Sequence, residues 1–392
     1  MLSENDHRRL GQELDLFHLQ EEAPGAVFWH PRGLSLVREL EEHVRRAARA
    51  DGYREVRSPQ IYARSVWDAS GHWDAFADGM VHVASEDGEA ALKPVSCPAH
   101  LEIARRASPS WRDLPMRFAE LGIVHRNERS GSLCGLFRLR QFQQDDGHVL
   151  CAEEDVEAEI ARFVARVRRL YAALGFDAVE AALSLRPPKR HGDDALWDRA
   201  EGALARAAGD FPCKIQPGQG AFYGPKIELV LHDSMGRAWQ CGTIQLDYVL
   251  PERFDVRYVD ARGERRPLVM LHRAMLGSFE RFVAILLEHH GGRLPAWLAP
   301  EPVRILPVSA KHADYAREVA AAVSARASVD DDGPLGGRIA RAHAQRIPIV
   351  AVVGKREAER RSLVVREGGE RRELSLEDAA AAFAAACAPP DV

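Results

Sequence analysis

A row of polar side chains is the first feature of this sequence that could do chemistry. The stretch "FRLRQFQQDDGH" spans residues 137–148, and period-2 alternation puts every second residue on one face of a strand. That face carries two cations, an aromatic ring, an amide, a carboxylate and an imidazole: Arg138, Arg140, Phe142, Gln144, Asp146 and His148. It is either a solvated surface, the usual case in antiparallel sheets, or the floor of a pocket. The pattern alone leaves both interpretations open.

Three soft ligands stand at separate landmarks of the chain. Cys97 lies in "KPVSCPAH" between two prolines, which predicts that it is held on a turn; His148 ends the polar row, and His272 lies where a strand gives way to a helix. One thiolate and two imidazoles would leave an open position on a tetrahedral zinc. A buried thiol with two hydrogen-bonded imidazoles is the alternative, because no local spacing links the three residues.

Arginines and a hairpin supply the other polar groups. Arg126 and Glu128 lie in "HRNE" at a strand end, and Arg281 lies in the downstream helix "SFERF". A guanidinium suits bidentate contact with phosphate or carboxylate, although such residues, taken separately, are more often in surface ion pairs. Residues 221–248 predict a β-hairpin with Cys241, Thr243 and Gln245 on one face of its return strand, which is either solvated or part of a pocket.

Helical and strand patterns must position these groups. Apolar spacing predicts helices at 6–22, 33–50, 153–174 and 274–290, and hairpin strands at 221–231 and 237–248. The Gly- and Pro-rich stretch 291–302 is typical of a linker. Beyond it, strands and helices alternate over some 90 residues, which indicates a small α/β domain. The fold prediction is an α+β catalytic domain, an antiparallel sheet flanked by helices, over 1–298, followed by an α/β domain over 299–392.

Bulk composition is that of an ordinary globular chain. The sequence has 392 residues, 46% hydrophobic and 28% charged, with a net charge of −5 that argues against a generally basic nucleic-acid coat. No apolar run approaches the length of a membrane span, and the charged start has no apolar core like that of a signal peptide. We therefore expect a cytoplasmic protein with no membrane partner.

The motifs together resemble one family. "HRNE" followed by "FRLRQFQQDDGH" is similar to the second signature of class II aminoacyl-tRNA synthetases, "LGSFERF" resembles the third, and the helix at 33–50 running into "VRSP" resembles the first, dimer-forming one. "KPVSCPAH", "GHWDAF" and "GAFYGPKIE" are more closely similar to the threonyl-tRNA synthetases. The resemblance covers essentially the whole chain and implies a class II synthetase catalytic domain followed by an anticodon-binding-type domain.

The resemblance also implies a role for each candidate residue. One zinc per chain would be bound by Cys97, His148 and His272, and Mg²⁺ would accompany ATP. Arg126, Arg281 and His72 would be catalytic. The ATP-binding residues would be Arg126, Glu128, Arg138, Phe142, Gln240, Thr243, Ser278 and Arg281, and the threonine-binding residues would be Gln144, Asp146, Tyr223, Lys226 and Gln245. On this interpretation the polar row is the floor of a substrate pocket.

The implied function is threonine–tRNA ligation by a homodimer. Its partners would be ATP, L-threonine and tRNA(Thr). Because the sequence resembles the family from its catalytic core onward, we expect a short form without the N-terminal editing domains, and a separate factor that edits in trans. The alternative is a paralogue that activates threonine, or a related β-hydroxy amino acid, for another acceptor, or that serves as a drug-insensitive duplicate.

Overall fold

The computed structural model describes residues 3–86, 88–209, 211–323, 326–367 and 370–391. The chain divides into two compact units. One unit contains Met1–Leu19, Val27–His43 and Ile285–Asp391, and the other contains Gln20–Ala26 and Val44–Ala284. No helix in the described part of the chain combines the length and the apolar character needed to cross a bilayer.

An eight-stranded sheet organises the unit that contains Val44–Ala284. Its strands are numbered in chain order: β1 Arg54–Glu55, β2 Met116–His125, β3 Gln141–Cys151, β4 Val179–Ser184, β5 Cys213–Gln216, β6 Lys226–His232, β7 Ala238–Asp247 and β8 Val269–Ser278. The spatial order is β5-β4-β6-β7-β8-β3-β2-β1. All neighbours are antiparallel except the two edge pairs, β5 with β4 and β1 with β2. The sheet confirms the predicted antiparallel core.

Residues 7–289 also contain α-helices and three small sheets. The helices described up to residue 289 are His7–Glu13, Pro31–Ala50, Arg64–Ser70, His72–Phe76, Cys97–Ala107, Val156–Ala173, Asp194–Ala208, Val249–Arg253 and Phe279–His289. Ile61–Ala63, Gly88–Leu92 and Val81–Ser85 form a three-stranded sheet, and Arg257–Val259 pairs with Arg265–Pro267. Phe17–His18 pairs with Phe28–Trp29.

A second, mixed sheet forms the centre of the C-terminal region. Its strands, in spatial order, are Ala327–Val329, Val303–Pro307, Ile349–Val353, Ser362–Glu367 and Glu370–Ser375. The first three are parallel and the last two antiparallel. The helices are Ala313–Ala322, Leu335–Ala344, Lys355–Arg360 and Leu376–Cys387. Val319 and Phe383 pack on a core with Ile305, whereas Ala342 packs with Leu306 in a second cluster. The predicted α/β domain is therefore confirmed.

Four local predictions differ from the structure. The helix predicted over 6–22 ends at Glu13, because Asp15 adopts a positive φ of 55° and Phe17 pairs with Trp29. The polar row begins as a strand only at Gln141, since the N–H groups of Arg140 and Gln141 both donate to the carbonyl of Gly25. The prediction that Arg138 and Arg140 share the strand alternation is therefore wrong.

The other two differences concern the end of the first predicted domain. The predicted helix 274–290 begins only at Phe279, because residues up to Ser278 continue strand β8. The stretch 291–302 has no helix or strand, but it is not an exposed linker. Trp297, Leu298 and Ala299 are at most 5% exposed. The domain boundary between 298 and 299 stays a prediction.

Candidate active site

The register of four antiparallel strands builds a polar floor. His148 on β3 lies opposite His272 on β8, and His272 lies opposite Gln245 on β7. Gln245 in turn lies opposite Lys226 on β6. Directly opposed residues of an antiparallel pair point to the same side of the sheet, so these four side chains form one row. The row explains how residues 148, 226, 245 and 272 meet although they are far apart in sequence.

A parallel row lies two residues along each strand. Asp146 pairs with Ala274, Ala274 with Thr243, and Thr243 with Glu228. The small Ala274 lies between the carboxylate of Asp146 and the hydroxyl of Thr243 in this row. The period-2 alternation that the sequence predicts from Phe142 onward is therefore the alternation of a pocket face, not of a solvated one.

The two rows line a cavity of about 250 Å³. It brings together the three candidate metal ligands, all the candidate threonine-binding residues and three residues predicted for ATP: Cys97, His148, His272, Gln144, Asp146, Tyr223, Lys226, Gln245, Arg126, Gln240 and Thr243. We call it the floor cavity. Nearly all its lining is polar, which is typical of a site for a small polar molecule rather than an apolar one.

A second cavity of about 260 Å³ adjoins the first. The predicted ATP residues in its lining are Arg126, Glu128, Arg138, Phe142, Gln240, Ser278 and Arg281. We call it the outer cavity. Arg126, Gln144 and Gln240 line both cavities, so a guanidinium lies at their junction.

His72 is the one predicted site residue that lines neither cavity. It is buried at the start of the helix His72–Phe76, where its ring contacts Phe222 and lies 6.5 Å from the ring of Tyr223. Tyr223 in turn lies 5.0 Å from the ring of His272. Burial lowers the pKa of His72 to about 4, so its imidazole is neutral at neutral pH.

The three candidate metal ligands converge in the floor cavity. One ligand atom from each of Cys97, His148 and His272 lies within 4.8 Å of the others, and all three residues are buried. His148 Nε2 and His272 Nδ1 are 3.1 Å apart. The predicted turn at Cys97 is wrong: this residue begins the helix Cys97–Ala107, with Pro98 in the first turn, where a missing N–H costs nothing.

The donor set fits a zinc ion. Cysteine thiolates and histidine imidazoles are usual zinc ligands. The ring nitrogen of such a histidine that does not bind the metal commonly donates a hydrogen bond to a carboxylate. His272 has that second bond: its Nε2 lies 2.8 Å from Asp247 Oδ2. Burial raises the pKa of the Cys97 thiol and lowers that of His148, so the site favours neutral forms unless a cation offsets the charge of the thiolate.

The arginines of the outer cavity are held by rings and by local hydrogen bonds. The guanidinium of Arg126 lies 5.1 Å from the ring centre of Phe142, within the range of a cation–π contact. Ser278 Oγ accepts the backbone N–H of Arg281 at 3.2 Å, and the Arg281 guanidinium lies 5.8 Å from the Trp239 ring. These contacts hold two fixed positive charges towards the cavity.

Neighbouring polar groups orient the wall of the floor cavity. Tyr223 donates its hydroxyl hydrogen to Gln245 Oε1 at 3.0 Å, and Lys226 Nζ lies 2.5 Å from Glu228 Oε1. The amide of Gln240 also donates to that carboxylate. Glu228 therefore orients two predicted site residues without being one of the predicted residues itself.

Sequence reasoning missed several residues that support the site. Asp247 continues the alternation of Thr243 and Gln245 on β7, so the period-2 pattern could have found it. His100 lies one helical turn after Cys97, and the i, i+3 spacing placed both on one face of a helix. Glu228 lies two residues after Lys226 on β6, and Trp239 lies two residues before Cys241 on β7, so the same alternation could have found them. Glu120 gave no such indication, because only the strand register places it opposite Asp146.

Two family models match this chain. Residues 81–290 match the tRNA synthetase class II core domain (G, H, P, S and T), and residues 302–385 match the anticodon binding domain. A threonine–tRNA ligase from Gluconacetobacter diazotrophicus is 47% identical over 397 residues, covering 99% of this chain and 62% of the relative. A second, from Methylococcus capsulatus, is 48% identical over 386 residues, covering 96% of this chain and 60% of the relative. The chain thus spans about three fifths of the length of these curated relatives.

Solved structures show the same similarity over nearly the whole chain. The structure described as the RNA binding domain of threonyl-tRNA synthetase from Cryptosporidium parvum superposes with a TM-score of 0.95 at 36% identity, covering 98% of this chain and 99% of that one. A putative threonyl-tRNA synthetase from Aeropyrum pernix superposes with a TM-score of 0.83 at 26% identity, covering 97% and 96%.

Proposed function

Because the chain belongs to the threonyl-tRNA synthetase family of class II aminoacyl-tRNA synthetases, we propose that it activates L-threonine with ATP and transfers it to tRNA(Thr). The observation that carries the proposal is the pair of adjoining cavities. One contains a Cys–His–His set beside Asp146, the other contains fixed arginines beside Phe142, and Arg126 lies at the junction of the two. An amino acid in the floor cavity and a nucleoside triphosphate in the outer cavity would both contact the guanidinium of Arg126.

Threonine recognition is assigned to the floor cavity. Zn²⁺ held by Cys97, His148 and His272 would act as a Lewis acid for the amino and hydroxyl groups of the substrate. Asp146 would accept the hydrogen bond of the hydroxyl, and Gln144, Tyr223, Lys226 and Gln245 would form the walls. Valine has the shape of threonine without the hydroxyl, so it would leave Asp146 unpaired. Sites that bind a hydroxyl reject such analogues by about 10⁴-fold or more.

ATP binding is assigned to the outer cavity. Phe142 would stack on the adenine, Glu128 and Arg138 would contact the nucleotide, and Arg281 with Mg²⁺ would neutralise the terminal phosphates. A threonine carboxylate oxygen then attacks the α-phosphorus while the bond to pyrophosphate breaks, giving threonyl-adenylate. Arg126 would stabilise the charge that develops at this phosphorus, and no covalent nucleophile from the protein is needed. Gln240, Thr243 and Ser278 complete the ATP side.

Transfer to tRNA follows in the same site. A terminal hydroxyl of the tRNA attacks the carbonyl carbon of the adenylate, and AMP leaves. His72 is neutral and is separated from the floor cavity by the ring of Tyr223. It is proposed to assist this step. The region 299–392 would bind the anticodon, and residues 1–298 would form the catalytic domain. A homodimer through residues 33–62, acting in the cytoplasm where tRNA is charged, completes the proposal.

The decisive experiment measures exchange of pyrophosphate into ATP with each amino acid, followed by charging of purified tRNA(Thr). We expect threonine to give the highest rate, valine to give none, and serine to react more slowly by roughly 10–200-fold, because it differs by a single methyl group. Stronger exchange with another amino acid, or exchange without charging of tRNA(Thr), would refute the corresponding half of the proposal.

A further inference from the structure

A chain of buried hydrogen bonds leads away from the candidate metal ligand His148. Its Nδ1 lies 2.8 Å from His100 Nδ1, and His100 Nε2 lies 3.1 Å from Glu120 Oε2. Glu120 Oε1 accepts a hydrogen bond from Lys93 Nζ at 2.8 Å. All four side chains are at most 2% exposed. We call His100, Glu120 and Lys93 the relay.

The donor and the acceptor of each hydrogen bond in the relay follow from the carboxylate of Glu120. An ionised carboxylate can only accept, and Glu120 accepts from Lys93, from His100, and from the N–H and hydroxyl groups of Ser58. Although burial opposes it, the hydrogen bonds from His100 and Lys93 lower the pKa of Glu120 to about 2. His100 Nε2 therefore carries a hydrogen. In the neutral ring, His100 Nδ1 is then a lone pair.

The relay thereby fixes the tautomer of His148. With its hydrogen on Nε2, His100 presents a lone pair at Nδ1, and the nearby His148 Nδ1 must donate to it. His148 Nε2 is then left as a lone pair. Asp146 Oδ1 lies 3.7 Å from this atom, too far for a hydrogen bond.

The neighbouring histidine is fixed in the complementary way. In the neutral ring of His272, Nε2 donates to Asp247 and Nδ1 is a lone pair. The two lone pairs face each other at 3.1 Å with no hydrogen between them. Two neutral imidazoles would repel in this arrangement, whereas a cation bound to both lone pairs would stabilise it. The hydrogen-bond pattern is therefore that of two ligands sharing a cation.

We infer that His100, Glu120 and Lys93 are positioning residues that hold His148 in its metal-binding tautomer and so set the affinity of the site for zinc. The inference rests on the metal site of the proposed function. The fold supports it in two ways. His100 is on the same helix as Cys97, and Glu120 is on β2, which pairs with β3, the strand that carries His148.

The test compares zinc affinity in the full chain by competition with a chromophoric chelator. His100→Phe keeps a ring of similar size and removes the acceptor of His148, and Glu120→Gln removes the charge. We expect each to weaken zinc binding by about 10–100-fold, the usual effect of such outer partners. Tyr171→Phe, which removes a buried hydrogen bond away from the metal ligands, should bind zinc like the original protein.

A second measurement detects the tautomers of the two histidines directly. Nitrogen-15 NMR of the zinc-free protein with labelled histidine reports which ring nitrogen carries hydrogen. We expect hydrogen on Nδ1 of His148 and on Nε2 of His272, with the His148 preference lost in His100→Phe. Hydrogen on Nε2 of His148 in the original protein would overturn the inference, and so would unchanged zinc affinity in both relay variants.

Failure of the relay and failure of the metal site can be told apart with His148→Ala. If this variant binds zinc as tightly as the original protein, the proposed metal site is wrong and the relay falls with it. If it loses zinc while His100→Phe and Glu120→Gln retain full affinity, the site stands and only the relay is refuted.

Discussion

At the scale of single residues, Arg126 lies at the junction of the two cavities, where charge would develop during adenylate formation. Removing one preorganised donor to such charge typically costs about 10²–10³-fold in rate. We therefore expect Arg126→Ala and Arg281→Ala each to slow pyrophosphate exchange by this factor while the protein stays folded. Arg126→Lys should restore little, because an ammonium lacks the planar fork of donors.

The matched control is Arg129→Ala. Arg129 is exposed, lies three residues after Arg126 and lines neither cavity. Exchange assays with threonine, combined with circular dichroism to verify folding, compare the variants. Rates for Arg126→Ala or Arg281→Ala close to that of Arg129→Ala would contradict the assigned roles.

His72 gives a prediction for how the stability of the protein depends on pH. Burial lowers its pKa to about 4 in the folded protein, whereas the unfolded chain has an ordinary value of about 6.5. Between these values only the unfolded chain binds the proton, so the stability contributed by neutral His72 is present above pH 6.5 and is lost as the pH falls towards 4. From pH 7 to pH 5 the loss from this residue is about 2 kcal/mol.

Denaturant unfolding at pH 7 and pH 5 measures this loss. His72→Phe keeps a ring against Trp67 and Phe222 and cannot titrate, so its stability should fall less over the same interval. Equal falls in the two proteins would show that His72 is not the titrating group.

At the scale of elements, an irregular segment of β8 shapes the outer cavity. Ala274 pairs with Asp146 but the next pair is Ser278 with Gln144, so residues 275–277 leave the ladder. Their N–H groups all donate to the buried carboxylate of Asp145, at 2.6, 3.1 and 3.0 Å. Tyr171 donates to the carbonyl of Met275 at 2.5 Å. Asp145 thus holds the backbone that leads into Ser278 and Arg281.

Asp145→Asn tests this arrangement. An amide has one acceptor oxygen instead of two, so at least one buried N–H loses its partner, at about 1–3 kcal/mol for each. We expect urea unfolding to show a loss of that size and the KM for ATP to rise more than the KM for threonine. Tyr171→Phe, which removes a single bond, should cost less. A variant with unchanged stability and unchanged KM values would refute the role of Asp145.

The same elements show what the sequence could and could not predict. Alternation from Phe142 to His148 placed the pocket face correctly, because side-chain direction in a strand depends only on parity. The prediction that Arg138 and Arg140 continue this strand face was wrong. The contact of Gly25 with residues 140 and 141 ends the strand there, and a periodic pattern contains no information about that contact. The three candidate metal ligands were predicted by resemblance alone. Their meeting depends on a register of strands separated by more than a hundred residues, which no local pattern contains.

At the scale of the whole molecule, the proposed homodimer gives a further prediction. Ile61 is 52% exposed on an edge strand of the three-stranded sheet, within the region that resembles the dimer-forming signature. A carboxylate buried without a partner at an interface is strongly unfavourable. We therefore expect Ile61→Glu to shift the protein from dimer to monomer in light scattering at micromolar concentration.

Ile215→Glu is the control for that experiment. Ile215 is 53% exposed on β5, outside the 33–62 region, so its substitution adds the same charge and should leave the dimer intact. A monomeric original protein, or a dimeric Ile61→Glu variant, would refute the predicted interface.

One compact unit combines Met1–Leu19 and Val27–His43 with Ile285–Asp391. This arrangement affects how the protein folds during its synthesis. In the helix His7–Glu13, His7 Nδ1 lies 2.6 Å from Glu288 Oε1, which is 281 residues later in the chain. A ribosome adding about 5–20 residues per second needs roughly 15–60 s to cover that distance. Throughout that interval Leu10, Leu36 and Leu40, all buried in the finished protein, belong to a unit that is still incomplete. These three side chains therefore need shelter, from a chaperone or from the part of the chain already folded, until residues 285–391 have been synthesised.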